Sequence, residues 1–466
     1  MTPLLILVGL EPMTWIILNY IQLWCIMCAR YIFKNKVGDC IMYEQSVSVN
    51  EIDIYSMTNP ALKSFCLSLY IRAGSLFENT TNNGISHLFE HIVFRNLKNK
   101  YENFYELLAL HGLDLQGCTY KEFIRFSING PHDEFDFAID ILCSLFDEIK
   151  LTSTDFLKEK KRIKAEIREK DERNSLDYFF DNIVWNGSEA EKTVLGYCKN
   201  IDGFSIKKIN AFRENVLSKN NLFVYVTGNV SQEDKNILLR KIEKININNQ
   251  SVSSTNTVTV SRDFFNRKGI VNVKNDYWHY VKVGFDIDCS KYSGGVYDLI
   301  YAVLFKGDAG LVHNYLSEDN PIIYSFESTL EQYDNIGNIN FKFEVGKEKI
   351  VDAVRIIVSL LNHVKNGQFN FDANLKYEMS NSLMELDKPD DLNWSMAYYN
   401  HILKTDSIDY SDEFYGRFNN ITKEQIIKAA KEIFRTRNMT IAIKGNKRKI
   451  RTTDIEMELK TLDKEF

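Results

Sequence analysis

Residues 84–94 read Gly84-Ile85-Ser86-His87-Leu88-Phe89-Glu90-His91-Ile92-Val93-Phe94. The turn Asn82-Asn83-Gly84 opens an apolar pattern of helical period, so a helix is expected across residues 82–96. On a helix, histidines four apart share one face with their rings roughly 6 Å apart, and one ion can reach both. Glu90 lies beside them. Neutral imidazole is a preferred zinc ligand, and a catalytic zinc takes three protein ligands and leaves one position open. The plainer alternative is a histidine pair packed on a helix face. The placement of Glu90 and the loop-to-helix signal turn the reading toward metal chemistry, with a third ligand to come from elsewhere.

Outward from this segment the pattern is mixed α and β. Strands are expected at Ser64–Arg72, Thr119–Asn129 and Leu222–Val226, and helices at Tyr101–His111, Phe135–Glu148, Ser153–Arg173 and Ile206–Val216. The polar stretch 245–262 is the best linker. A similar order follows it: strands at Tyr280–Asp286, Ile339–Glu344 and Met439–Ile443, and helices at Gly295–Leu304, Lys349–Val364 and Lys423–Phe434. Asn-Leu-Phe-Val-Tyr-Val-Thr-Gly ending at Gly228 parallels Asn-Met-Thr-Ile-Ala-Ile-Lys-Gly ending at Gly445. These correspondences imply an internal duplication. The fold class expected is α+β, with two duplicated domains, each a mainly antiparallel sheet with helices on one face. The boundaries expected are 42–244 for the metal-binding domain, 263–450 for the second, and 451–466 for a charged tail without pattern.

The chain resembles the pitrilysin/insulinase metallopeptidases, whose inverted zinc motif is His-x-x-Glu-His. The residues that carry the resemblance are Gly74-Ser75 with Glu78, the run Gly84–Phe94, Leu195-Gly196, and two glutamates in EKKRIKAEIRE. The resemblance implies that His87, His91 and Glu166 hold one Zn2+ per chain, with Glu90 as catalytic base. It also implies that Glu159 orients a histidine from behind. Zinc would polarise a water, and Glu90 would take its proton and pass it to the leaving amine. Glu122 and Arg125 fall where the family has the edge strand that pairs with an extended peptide substrate. Tyr324 falls at a tyrosine position of the second domain, whereas Ser317 stands where the family has an arginine. That departure suggests that a homologous subunit, in a hetero- or homodimer, supplies the arginine.

The function expected is therefore a zinc endopeptidase for short or unfolded peptides, of the half-size bacterial processing type, with leader removal in bacteriocin or ribosomal peptide maturation as the refinement. The alternative is a catalytically silent partner or assembly subunit of a heterodimeric peptidase. The N-terminus lacks the Arg- and Ser-rich amphipathic character of a transit peptide.

Composition sets the outer bounds. The chain has 466 residues, 44% apolar and 26% charged, with a net charge of −6, which suits a globular protein of more than one core. No arginine-rich arm stands out, so no nucleic acid is expected as a partner. The basic runs Lys158–Lys164 and Lys444–Arg451 read as solvated faces. The eight cysteines form no disulfide framework and favour a reducing compartment. Residues 3–33 are apolar and end at Arg30, Lys34 and Lys36. They read as a membrane anchor with the enzyme facing the cytoplasm, or as the result of a start site at Met42. A cleaved signal peptide would carry its positive charges before the apolar run. The remaining histidines (His111, His132, His279, His313, His363 and His401) have no ligand spacing and read as surface or packing residues.

Overall fold

The computed structural model describes residues 43–170, 174–247, 260, 270–402, 418 and 420–463. The apolar segment 3–33 and most of the expected linker lie outside the described residues.

The first half holds strands β1 (Tyr43–Val49), β2 (Ile52–Thr58), β3 (Ser64–Ile71), β4 (Asp114–Thr119), β5 (Ile124–Pro131) and β6 (Leu222–Gly228). Its helices are α1 (Ile85–Lys100), α2 (Phe104–Leu110), α3 (Phe135–Ser144), α4 (Ser153–Glu169), α5 (Leu176–Val184), α6 (Ile206–Val216) and α7 (Gln232–Glu243). The second half holds β7 (Ile270–Asn275), β8 (Tyr280–Asp288), β9 (Phe326–Gln332), β10 (Ile336–Glu344) and β11 (Met439–Gly445). Its helices are α8 (Gly294–Phe305), α9 (Ile350–Lys365), α10 (Phe371–Glu385), α11 (Pro389–Ala397), α12 (Lys423–Ile433) and α13 (Thr452–Leu459).

The sheets have the orders β1-β2-β6-β3-β5-β4 and β7-β11-β8-β10-β9. Without β1 the two orders correspond strand for strand. Each contains one parallel pair, β2 with β6 and β7 with β11, while the other neighbours are antiparallel. The duplication is therefore a property of the topology and not only of the strand endings.

Each sheet buries one face under helices of its own half. Leu67, Leu69, Ile124 and Phe126 meet Leu88, Phe89 and Ile92 of α1 in the first core, and Val283 and Phe341 meet Ile300 and Ile357 in the second. The opposite face of each sheet is covered in addition by a helix of the other half. Helix α11 packs on β3 and β6, bringing Leu392 and Met396 onto Tyr70, Phe223 and Tyr225. Helix α5 packs on β8 and β11, burying Leu176, Phe180 and Val184 near Ala442. These two helices are the same element of each repeat, exchanged between the halves. Each has an aspartate in its first turn, and that aspartate meets cations of the sheet it covers. Asp390 pairs with Arg125 at 2.6 Å, and Asp177 pairs with Lys282 at 2.7 Å and Lys342 at 2.6 Å.

Two expectations need correction. The stretch 119–129 is not one strand: β4 ends at Thr119, a tight turn follows in which the Tyr120 amide donates to the Phe123 carbonyl at 2.8 Å, and β5 starts at Ile124. The residues after 450 are not a patternless tail. Ile455, Leu459 and Leu462 recur at helical spacing and are buried, placing α13 against α9 as the counterpart of α7.

Candidate metal centre

Helix α1 begins at a turn that Glu78 organises. One carboxylate oxygen of buried Glu78 accepts from the Gly84 amide at 2.7 Å and the Asn83 side chain at 2.9 Å, and the other accepts from the Ser86 amide at 2.8 Å. A carboxylate on free amides at a helix N-terminus complements the helix dipole and fixes where the helix starts. Gly84 has φ +95° and lies against Gly196 (φ +74°), which accounts for the Leu195-Gly196 element. One turn into α1, His87 and His91 stack edge to face with ring centroids 4.7 Å apart.

Glu166 comes from α4, which packs beside α1. Its Oε2 lies 3.5 Å from His87 Nε2 and 3.5 Å from His91 Nε2. The three ligand atoms all lie within 4.8 Å of one another. Tetrahedral bonds of roughly 2.0–2.1 Å would hold ligand atoms about 3.4 Å apart, so this set fits zinc. The protonation states also fit. Burial and the neighbouring His91 push His87 down to about 4 against the pull of Glu166, so its ring is neutral. Burial works against the charge on Glu166, but Lys170, His87 and His91 outweigh it and hold the group below its usual range. Among the described residues no other set of three His, Cys, Asp or Glu side chains could hold a metal ion.

Glu159, two turns before Glu166 on α4, is buried with Oε2 3.6 Å from His91 Nδ1. Arg95 grips its other oxygen through Nε at 2.7 Å and through Nη2. Burial opposes its charge, but His91 and Arg95 together keep it below the usual carboxylate range. In the second half a similar ion pair joins Lys306, the residue that follows α8, to buried Glu378 of α10 at 2.8 Å, and neither helix carries a histidine.

Glu90 is buried, and its Oε2 accepts from Thr119 Oγ1 at 2.7 Å. Burial raises its pKa; the Thr119 hydrogen bond and His91 pull the other way without cancelling it. A buried carboxyl with a raised pKa suits a group that takes and returns a proton near neutral pH. Gly117, two residues before Thr119 on β4, leaves the space: a Cβ there would come within 3.0 Å of Glu90 and 2.4 Å of Phe94.

The remaining candidates are not in this cluster. Arg125 lies on β5, buried under α11 against Asp390, Tyr70 and Trp394. Glu122 sits in the turn between β4 and β5. Of the two strands, β4 (Asp114–Thr119) and not β5 lies at an edge of the sheet among the described residues. Tyr324 is 95% exposed in the loop before β9. Sequence reasoning misses Thr119, Gly117 and Arg95. The i, i+2 spacing of Gly117 and Thr119 is the only signal for the first two, and the position of Arg95, one helical turn beyond His91, is the signal for the third.

Residues 54–196 match the family model described as Insulinase (Peptidase family M16). The chain is 21% identical over 391 residues to the zinc protease PqqE of Helicobacter pylori, covering 80% of this chain and 86% of that one. A solved protease from Helicobacter pylori superposes with a TM-score of 0.75 at 18% identity, over 87% of this chain and 99% of that one. A peptidase M16 inactive domain from Pseudomonas fluorescens superposes with a TM-score of 0.72 at 14% identity, over 86% and 98% of the two chains. At these identities the structural likenesses establish the fold.

Proposed function

We propose that this chain, a half-size protein of the insulinase (M16) family by its residues 54–196, is a zinc-dependent endopeptidase acting on short or unfolded peptides. The carrying observation is the convergence of His87 Nε2, His91 Nε2 and Glu166 Oε2 beside the buried carboxylate of Glu90. That set would hold one Zn2+. Bound zinc supplies the Lewis acidity that lowers the pKa of water toward 7. Glu90 accepts a proton at its carboxylate and returns it to the departing amine, while Thr119 fixes which carboxylate oxygen is free. Glu159 and Arg95 keep the His91 ring oriented from behind.

The substrate lies along β4. The outer edge of that strand has no neighbouring strand among the described residues, so an extended peptide pairs with it through main-chain hydrogen bonds. Recognition of backbone more than side chain suits removal of a leader from a ribosomally made peptide. A homologous subunit completes the site, because Ser317 stands in the arginine position and Tyr324 points to solvent. The free cysteines Cys66, Cys118, Cys143, Cys198 and Cys289 agree with a cytoplasmic enzyme.

Zinc content by atomic emission, measured on the wild type and on Glu166→Ala, tests the metal set. About one zinc per wild-type chain, largely lost in the variant, is the expected result. Peptide cleavage by Glu90→Gln tests the chemistry, with zinc retained and turnover abolished. A metal-free wild type after supplementation turns the reading to a silent partner subunit.

A further inference from the structure

The parallel pair β7–β11 places Asn275 opposite Gly445, so the loop after β7 and the chain after β11 leave the second sheet at one end. The loop Asp276-Tyr277-Trp278-His279 carries two exposed aromatics, Tyr277 at 81% and Trp278 at 57%, packed edge to face at 5.2 Å. Beside it runs Lys447-Arg448-Lys449, all exposed, followed by exposed Arg451. The two segments are tied together. The Asp276 amide donates to the Gly445 carbonyl at 2.9 Å, the Lys447 amide donates to Asn275 Oδ1 at 3.3 Å, and the Asn446 amide donates to His279 Nε2 at 3.3 Å. The one acid of the loop, Asp276, is taken by Lys444 at 2.8 Å. Helix α13 anchors the far end through buried Ile455 and Leu459, and its Asp454 is the nearest acid beyond Arg451.

The first half shows that the fold does not require this surface. There the Asn59 amide makes the same hydrogen bond, to the Gly228 carbonyl at 2.8 Å. Yet the loop reads Asn59-Pro60-Ala61-Leu62-Lys63, and Asn229-Val230-Ser231 follows the strand. The same framework there carries neither exposed aromatics nor a basic cluster. In a chain of net charge −6, four cations around a Tyr-Trp tip form a local reversal of sign.

We propose that this end of the second sheet is a peripheral membrane contact for an anionic bilayer surface. Tyr277 and Trp278 seat at headgroup depth, where an amphipathic ring has one apolar body and one wet edge. Lys447, Arg448, Lys449 and Arg451 meet the anionic headgroups around them. The contact is a loop tip: among the described residues no helix is long and apolar enough to cross a membrane. A flat bilayer suits a protruding tip flanked by cations. A single strand of nucleic acid would need a groove to follow, and the four cations sit beside a two-ring tip instead.

The test uses the full chain with vesicles of phosphatidylcholine alone and of phosphatidylcholine mixed with phosphatidylglycerol. Brominated acyl chains quench tryptophan at the interface, and the difference between wild type and Trp278→Phe isolates Trp278. Quenching of Trp278 by the anionic vesicles only, relieved by salt, is the expected result. Replacing Lys447, Arg448 and Lys449 together by Gln lowers the partition coefficient about a hundredfold at low ionic strength. Zinc content serves as the control for folding. Equal quenching of wild type and Trp278→Phe, or vesicle binding that survives the triple substitution, overturns the proposal. So does binding of a single-stranded RNA through the same three residues without binding of vesicles.

Discussion

Gly84 and Gly196 touch backbone to backbone: a Cβ on Gly196 would lie 2.4 Å from the Gly84 Cα, and both residues have positive φ. This contact clamps the turn before α1 against the loop at 193–196, where Asn83 Nδ2 also donates to the Thr193 carbonyl at 2.8 Å. Gly196→Ala both overpacks the contact and strains the backbone, so a loss of roughly 2–4 kcal/mol is expected. Thermal unfolding combined with zinc titration checks it. An unchanged melting temperature would show that the clamp carries no weight.

Thr119 donates to the carboxylate of Glu90 and so favours its ionised form. In its proposed role as base Glu90 acts only when ionised, so activity is expected to fall as pH drops through its raised pKa. Thr119→Val removes a group that stabilises the charge, so the pKa rises further. The acid limb of kcat/KM then moves to higher pH, and kcat drops about ten- to hundredfold. Zinc content stays at the wild-type level. A pH profile with an unmoved acid limb would contradict the assignment.

Arg95 and Glu159 form one support for His91. Arg95→Ala leaves a buried carboxylate without its main cation, and Glu159→Ala leaves His91 Nδ1 facing an empty space. Either change is expected to weaken zinc affinity about 10–100-fold. Competition against a chelator of known affinity reads this directly, and the double variant should cost no more than the worse single one.

His401 is half-buried in the seam between the halves, stacked on Phe223 at 3.7 Å with Arg72 Nη2 at 3.3 Å from its Nδ1. Burial first, then Arg72, pushes its pKa down to about 3. The unfolded chain therefore binds this proton more readily than the folded one between pH 6.5 and 3. Its contribution to stability is intact above that window and is lost as pH falls through it. Denaturant unfolding at about pH 7 and about pH 5 should show this loss, and His401→Phe should flatten it.

What can be read from the sequence follows the range of the interactions. The histidine pair and Glu90 are visible because they sit on one helix, at a spacing that speaks for itself. Glu166 and Glu159 come only through the family resemblance, since they lie far along the chain from His91 and no pattern of composition links them to it. Helix α4 brings both to the site by packing on α1, a contact that no local pattern encodes. Thr119 and Gly117 are hidden for a related reason. The alternation of 119–129 runs on through the turn at Tyr120–Phe123, so β4 merges with β5 and its inward face cannot be assigned. Helix α5 escapes notice although Leu176, Phe180 and Val184 recur every four residues, because its apolar stripe faces the other half's sheet. The helix at Thr452–Leu459 is equally faint, because its buried positions are few and lie among charges.

The exchange of α5 and α11 has a consequence for how such a chain could arise. Each half offers a helix that fits a sheet like its own, and a sheet face that accepts one. A single repeat is therefore self-complementary, and two copies related by a two-fold axis could trade helices as the halves do here. Fusing the two copies into one gene would then free them to diverge, so that one kept the histidines of α1 while the other kept only the ion pair of Lys306 and Glu378.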